Sequence, residues 1–329
     1  MKIKYNKCFV TDNLPTLNCH ASTVLPLENG KVIVAWFGGT KEGKDDVDIY
    51  YTVKDKTFGE IKKISVSDKL PHWNPVLFEH NDKSISLFFK VGRKIPIWRT
   101  YRCFSNDNGN SFSTPAPLVR GDYSGGRGPV KNKCIRLDSG RILAPASTEN
   151  SGWNCFIDIS DDDGLTFHKG KRIPTEYCSP LLNTDNGYCR NKIPMIQPTL
   201  WKSDKGIHAF MRTSKGFIYR SDSFDEGETW CEAYSTGLPN NNSGIDIAKD
   251  EAGFLYLVSN PVGENWGERS PLTVQISKDN GKSFNHFLTL EEEKLDSEFS
   301  YPAIVYRNGH LHITYTWERK NIVCCDITL

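Results

Sequence analysis

No charge of either sign predominates in this chain: 41 basic residues stand against 40 acidic ones, for a net charge of +1. A nucleic-acid or other polyanion surface is therefore not expected, and any charge used in recognition is local. No apolar run approaches the roughly 20 residues of a membrane helix, so no membrane partner is expected. The N-terminus, MKIKYNKCFVTDN, lacks the apolar stretch of a secretory signal. A cytoplasmic protein is the expectation, although a secreted form with a trimmed leader would present the same residues. Helical periodicity is scarce. The ten cysteines include no CxxC pair, and Cys324 and Cys325 are adjacent, which suits buried thiols in a reduced compartment better than a disulfide framework. HExxH and zinc-finger spacings are missing, and GGTKEGK does not end in the GK[ST] of a phosphate loop. No cofactor and no metal is expected.

What is present is repetition. SDDDGLTF, from Ser160 to Phe167, recurs as Ser105-Asp107-Gly109-Ser111-Phe112, Ser223-Asp225-Gly227-Thr229-Trp230 and Ser277-Asp279-Gly281-Ser283-Phe284. Aspartate accepts backbone N–H bonds within a tight turn, glycine supplies a positive φ and the aromatic plugs the space beneath, so each octet reads as a β-turn between two strands. A second repeat is more complete. Six alternating apolar runs each break at a turn and resume, at Asn29-Gly30, Asp82-Lys83, Ser139-Gly140, Lys205-Gly206, Ala252-Gly253 and Asn308-Gly309. Each is a β-hairpin by pattern.

Six hairpin units of about fifty residues predict an all-β fold, a six-bladed β-propeller of four-stranded antiparallel blades occupying 1–329 as a single domain. The last unit has only NIVCCDITL after its hairpin, so its missing outer strand is expected from Tyr5 to Thr11, closing the ring. Insertions between Arg172 and Met195 and between Glu232 and Ser243 are read as loops on one rim.

Aligning the hairpins on their turns puts a variable residue followed by a small residue or proline at one register: His20-Ala21, Asn74-Pro75, Gly128-Pro129, Gln197-Pro198, Ser243-Gly244 and Tyr301-Pro302. Inner strands that begin there direct these side chains at the mouth of a central channel. A second ring is expected about six residues past the turns, at Trp36, Lys90, Ser147, Arg212, Asn260 and Tyr315. Arg127, Lys131, Glu149, Arg269 and Trp317 lie nearby in sequence. Arginine forks a carboxylate and aromatics stack on a sugar ring, so this set suits an anionic sugar. The plain alternative is a solvated rim.

With these boxes, hairpins and segments (CHAST, HWNPVLF, GPVKNK, IQPTL, NNSGID, SYPAI), the whole chain resembles the sialidase superfamily. The resemblance implies an arginine triad for the substrate carboxylate, an aspartate acid/base and a tyrosine nucleophile assisted by glutamate. Arg212 and Arg269 match the second and third arginines, and Tyr301 matches the nucleophile. His20 stands where the first arginine belongs, and Gln197, an amide that takes no proton at neutral pH, stands where the glutamate belongs. The acid/base falls in KEGKDDVDI, with Asp46 first and Glu42 or Asp45 in reserve.

The reading that follows is an exo-acting glycoside hydrolase for a terminal acidic sugar. Catalytic candidates are His20, Asp46, Tyr301 and Gln197; substrate-binding candidates are Arg212, Arg269, Arg127, Lys131, Asn74, Lys90, Glu149, Ser243 and Trp317, with His72 and Glu149 also able to carry a proton. The expected partner is a glycan. Two alternatives stay open. Related sialidase-like propellers cleave rhamnosyl-glucuronate linkages as lyases or rhamnosidases with a histidine in place of the arginine, and a decayed site would leave a glycan-binding propeller without turnover.

Overall fold

The computed structural model describes residues 3–67, 69–150, 152–175 and 193–329. They form six four-stranded antiparallel sheets. The first strand, β1 (Lys4–Phe9), is set aside by the chain until the end. Blade 1 is β2 (Asn18–Pro26), β3 (Val32–Gly39), β4 (Asp48–Lys54) and β5 (Lys62–Ile64). Blade 2 is β6 (His72–Glu79), β7 (Ile85–Val91), β8 (Arg99–Ser105) and β9 (Ala116–Pro117). Blade 3 is β10 (Ile135–Arg136), β11 (Ile142–Thr148), β12 (Asn154–Ser160) and β13 (His168–Arg172). Blade 4 is β14 (Met195–Ser203), β15 (Gly206–Thr213), β16 (Phe217–Ser223) and β17 (Tyr234–Pro239). Blade 5 is β18 (Asp246–Lys249), β19 (Leu255–Ser259), β20 (Leu272–Ser277) and β21 (Asn285–Glu291). Blade 6 is β22 (Phe299–Arg307), β23 (His310–Trp317) and β24 (Asn321–Thr328), with β1 added outside.

The six-bladed ring thus matches the expectation, and so does its closure. Lys4 to Phe9 pair with Thr328 to Val323, joining the first strand to the last. One stretch differs. The segment 232–243, expected as a rim loop, contains β17, the outer strand of blade 4. It reads as polar and glycine-containing because an outer strand has little to bury. The expected insertion after Arg172 lies mostly outside the described residues.

The four boxes occupy the turns between third and fourth strands of blades 2 to 5. In each, aspartate accepts from the downstream Ser/Thr backbone N–H and hydroxyl, as Asp225 does from Thr229 at 2.9 and 2.5 Å. The box glycines let this turn touch the preceding blade. A Cβ on Gly109 would lie 2.4 Å from Ile33 Cδ1 of blade 1, and its φ is +81°. The boxes therefore latch neighbouring blades together. Core aromatics and branched residues fill the blade interfaces, as where Phe37 and Ile49 meet Leu77 and Phe89, each worth about 1.5–3 kcal/mol on burial.

Candidate functional site at the channel mouth

The bottom of the site is a plug made by Lys131, Asn132 and Lys133. Lys131 Nζ donates to Asn132 Oδ1 and Ile245 O, both at 2.9 Å, and to Pro302 O. Asn132 Nδ2 donates to Gln197 O and Pro198 O at 3.0 and 3.1 Å. Lys133 Nζ donates to both Asp246 oxygens and to Ile247 O. Asp246 in turn accepts from Thr199 Oγ1 and Ile304 N. One tripeptide of GPVKNK so ties blades 4, 5 and 6 across the channel. The position of Lys131 is below the mouth, with its ammonium protons on carbonyl and amide oxygens. Burial, with the Lys133 and Arg212 charges, pushes that ammonium down to about 7 against the pull of Asp246.

Above the plug, the inner strands bulge. Pairing slips between His20 and Thr23, Trp73 and Val76, Ile196 and Thr199, and Ser300 and Ala303. Within these bulges Ala21, Asn74, Gln197 and Tyr301 have φ of 53°, 45°, 54° and 52°. The structure thereby corrects the expected register: Ala21, not His20, is the equivalent of Asn74, Gln197 and Tyr301. A pattern of variable residue then small residue hides this, because alanine itself takes the left-handed bulge position in blade 1. His20 reaches the site from one residue earlier. Non-glycine residues in this conformation cost about 1 kcal/mol or more each, and such strain clusters at functional sites.

Tyr301 is the centre of the cluster. Its ring contacts His20 at a centroid distance of 4.2 Å. The guanidinium carbons of Arg212 and Arg269 lie 5.5 and 5.7 Å from its centroid, and Lys131 Nζ lies 5.9 Å away. Gly244 lets the ring pass, since a Cβ there would sit 3.2 Å from Tyr301 Cγ and Cδ2. Arg212 Nη1 donates to Tyr301 Oη at 2.6 Å and to Gln197 Oε1 at 3.0 Å, while its Nε donates to Asn242 Oδ1 at 3.1 Å. Arg212 is 2% exposed. Its hydrogen bonds all end on neutral oxygens, and among the described residues no carboxylate lies within ion-pair distance of it.

Arg269 has a carboxylate partner. Its Nη1 donates to Glu298 Oε1 at 2.6 Å, and Arg319 Nε donates to the same oxygen at 2.8 Å. Burial alone would raise the Glu298 carboxyl, but Arg269 and Arg319 hold it below the usual carboxylate range. Glu149 is pushed up, chiefly by burial, although the Arg212 charge and a bond from the Trp153 indole oppose this. Trp153 and Trp266 pack edge to face, and both rings cover the Arg212 guanidinium at 5.7 and 5.8 Å. Trp266 remains 59% exposed. It offers a wet aromatic face beside the buried charge.

His20 is buried, and its Nδ1 is 2.9 Å from Thr316 Oγ1. Burial and then the charges of Arg319, Arg269, Arg212 and Lys131 hold its imidazole well below the ordinary histidine value. It is a neutral ring at neutral pH.

The remaining candidates are dispersed. Asp46 accepts from Thr40 N and Oγ1 at 2.9 and 3.0 Å and opens on a separate hollow of about 350 Å³ with Tyr50 and Lys63. Asp45 takes a fork from Arg93. Of the three acids in that loop, Glu42 is the one bonded to the cluster, through Arg319 Nη1. Arg127 is paired with Asp158 beside blade 3, and Lys90 is fully buried against Thr100 and the Arg127 carbonyl. Trp317 packs on Phe9 and Phe299 at the outer part of blade 6. His72 is fully buried with both ring nitrogens bonded, to Val47 O and from Val66 N. Ser243 Oγ is buried and has no hydrogen-bond partner among the described residues. Its neighbour Asn242 is the residue that reaches Arg212.

The expected second ring does not converge. Trp36 and Tyr315 are fully buried, Trp36 stacking on Tyr50 and Tyr315 donating to Glu291, and Arg212 alone of the six bonds Tyr301. A shift of one residue along a strand reverses the face, and counting from the turn does not resolve that. Sequence reasoning also missed Arg319, Glu298, Asn242, Trp153 and Trp266, which sit outside the inner-strand register. Among the described residues no group of His, Cys, Asp and Glu side chains is arranged to hold a metal ion.

Residues 30–313 match the model of the BNR repeat-like domain. No curated protein matches the chain in sequence. Among solved structures, a protein of unknown function from Dyadobacter fermentans DSM 18053 superposes with a TM-score of 0.77 at 16% identity, over 98% of each chain. A variant of NanB sialidase from Streptococcus pneumoniae gives 0.72 at 13% identity over 95% of this chain and 68% of that one. The intramolecular trans-sialidase from Ruminococcus gnavus, in complex with oseltamivir carboxylate, gives 0.71 at 12% identity over 98% and 96%. At these identities the likeness extends to the fold.

Proposed function

The chain belongs to the family of BNR repeat-like domains, with a propeller of the sialidase type, and on that premise we propose that it is a carbohydrate-active enzyme acting exo on a glycan that ends in a carboxylated sugar. One observation carries the reading. Arg212 is a buried guanidinium whose hydrogen bonds go to Gln197, Tyr301 and Asn242, all neutral. A buried charge that meets no carboxylate within ion-pair distance among the described residues, with Glu149 acting on it only from farther off, costs several kcal/mol, and a ligand carboxylate at this position offsets that cost. Trp266 supplies the ring face on which a sugar stacks. The R. gnavus relative holds a carboxylated ligand on the same fold, which accords with the reading.

In the hydrolase, Arg212 and Arg269 orient the carboxylate and Tyr301 Oη stabilises or captures the oxocarbenium-like centre. Arg212 already donates to that oxygen, so it favours negative charge developing there. The leaving oxygen takes its proton from the loop that carries Glu42, Asp45 and Asp46; water then adds at the anomeric carbon, which releases the sugar, frees Tyr301 Oη and returns a proton to that loop. Gln197 does not serve as a base toward Tyr301, so activation is weaker than with glutamate.

A second reading is favoured by His20. A buried neutral imidazole against the Tyr301 ring suits removal of a proton from a uronate whose carboxylate the arginines neutralise, followed by elimination. A glycan array followed by mass analysis of released products tests both. Release of a free acidic sugar supports hydrolysis; an unsaturated product absorbing in the near ultraviolet supports elimination; retention without turnover removes both enzymatic readings; and no retention of any carboxylated glycan removes the anionic-sugar site altogether.

A further inference from the structure

The ring closes through the pairing of β1 with β24, and two cysteines face each other across that closure. β1 is an edge strand held on one side, and every residue from Lys4 to Phe9 is exposed. In its register Cys8 stands directly opposite Cys324. Both are free thiols, and among the described cysteines Cys8 alone is exposed. Cys324 is 3% exposed and belongs to a cluster with Cys19, Val34 and Trp36 of blade 1.

The ladder sets their separation. Val10 N donates to Ile322 O at 3.0 Å, and the antiparallel pattern repeats every two residues, so Cys8 and Cys324 form the same kind of hydrogen-bonded pair. Cα atoms in such a pair stand about 5.5 Å apart, inside the range of about 4.4–6.8 Å that disulfides span. Directly opposite residues also share one face of the sheet. Their Cβ atoms need to close by about 1 Å for a bond, a movement open to an edge strand held on one side. Cys325 faces the other way, clustered with Leu290 and Tyr315.

The two thiols differ in reach. Burial pushes Cys324 up to about 12, with Cys8 and Asp326 adding to this and Lys54 opposing it. A reagent in solution therefore meets Cys8 first.

We propose that Cys8 and Cys324 are a dithiol modification site for low-molecular-weight disulfides, through which oxidation fastens the first strand of the propeller covalently to the last. Cys8 Sγ attacks one sulfur of the small disulfide, RSSR, forming a mixed disulfide and releasing one RSH. Cys324 Sγ then attacks the Cys8 sulfur, forming the Cys8–Cys324 bond and releasing the second RSH. The two protein thiols are oxidised, RSSR takes up their two electrons, and their two protons leave on the RSH products. The bond joins residues near opposite ends of the sequence, so it closes a loop of almost the whole ring and acts on the unfolded chain accordingly.

The test incubates the full chain with hydroxyethyl disulfide under native conditions, alkylates it and maps its peptides by mass spectrometry, beside Cys8→Ser and Cys324→Ser. Cys8 is exposed, so Cys8→Ser keeps the fold and serves as the reference. The expected result in the parent is a Cys8–Cys324 linked peptide, a melting temperature about 3–6 °C above the reduced chain and unfolding in guanidinium slowed about tenfold or more, all reversed by dithiothreitol. Cys324→Ser should stop at the mixed disulfide on Cys8, and Cys8→Ser should show no linked peptide. A parent that also stops at the mixed disulfide overturns the proposal, as does a bond from Cys8 to another cysteine, Cys178 and Cys189 included. No reaction at Cys8 overturns the site. A linked peptide with unchanged melting and unfolding overturns the fastening role, because release of β1 would then not govern opening of the ring.

Discussion

Replacing Arg212 by methionine separates stability from recognition. The side chain donates to Tyr301, Gln197 and Asn242 and lies under Trp153 and Trp266. Three hydrogen bonds at about 1 kcal/mol each, and the ring contacts at about 0.5–1 kcal/mol each, are lost. Against this, removing a buried guanidinium that meets no carboxylate within ion-pair distance among the described residues recovers a desolvation penalty of several kcal/mol, and the shorter methionine fills part of the space. With the recovered penalty taken as the larger by about 1–2 kcal/mol, Arg212→Met should melt about 1.5–3 °C higher. Recognition moves the other way. Charge-assisted bonds to a carboxylate contribute about 2–4 kcal/mol in all, so affinity for a carboxylated glycan falls by roughly 30- to 1,000-fold. Differential scanning fluorimetry and titration with an array-positive glycan read both effects. A variant that melts several degrees lower yet binds as tightly as the parent would refute the reasoning, since Arg212 would then be a structural charge with a satisfied environment.

Other perturbations test other links. Asp225→Ala removes acceptors of Thr229 N, Thr229 Oγ1 and Ser223 Oγ; a loss of about 1–2 kcal/mol of stability by denaturant titration, with glycan binding unchanged, is expected of a latch on the outer turns. Gly244→Ala puts a methyl 3.2 Å from the Tyr301 ring and should weaken glycan binding by roughly tenfold through displacement of the Tyr301 to Arg212 bond; an unchanged affinity would show that the ring position is not critical. Burial holds His20, His72, His80 and His312 below the ordinary histidine value. Below about pH 6.5 the unfolded chain takes up protons that the native state refuses, so stability falls as pH drops from 7 toward 5, at up to about 1.4 kcal/mol per pH unit for each histidine. A melting temperature flat across that range would contradict neutral burial of these rings.

Much of the architecture was legible along the chain because its determinants are local and repeated. Alternating strands, Asn29-Gly30 and Asn308-Gly309 turns, and four aspartate boxes each specify a neighbourhood of a few residues, and repetition six times over leaves a ring as the way to bury every sheet face. Closure by β1 followed from the strand missing in the last unit. The site was legible only in part, as Tyr301, Arg212 and Arg269 stand in one cluster while Trp317, Arg127 and Lys90 point elsewhere. Side-chain direction in a strand changes with every residue, and the inner-strand bulges move that register by one; no count from a turn reveals this. Arg319 shows the limit most clearly. It is 299 residues from His20 by number, and no motif marks it, yet ring closure brings their strands together, and the carboxylate of Glu298 joins it to Arg269. Local sequence settles strands and turns because its energies act over a few residues. The electrostatic partnership of groups from opposite ends of the chain exists only once the ring has closed around them.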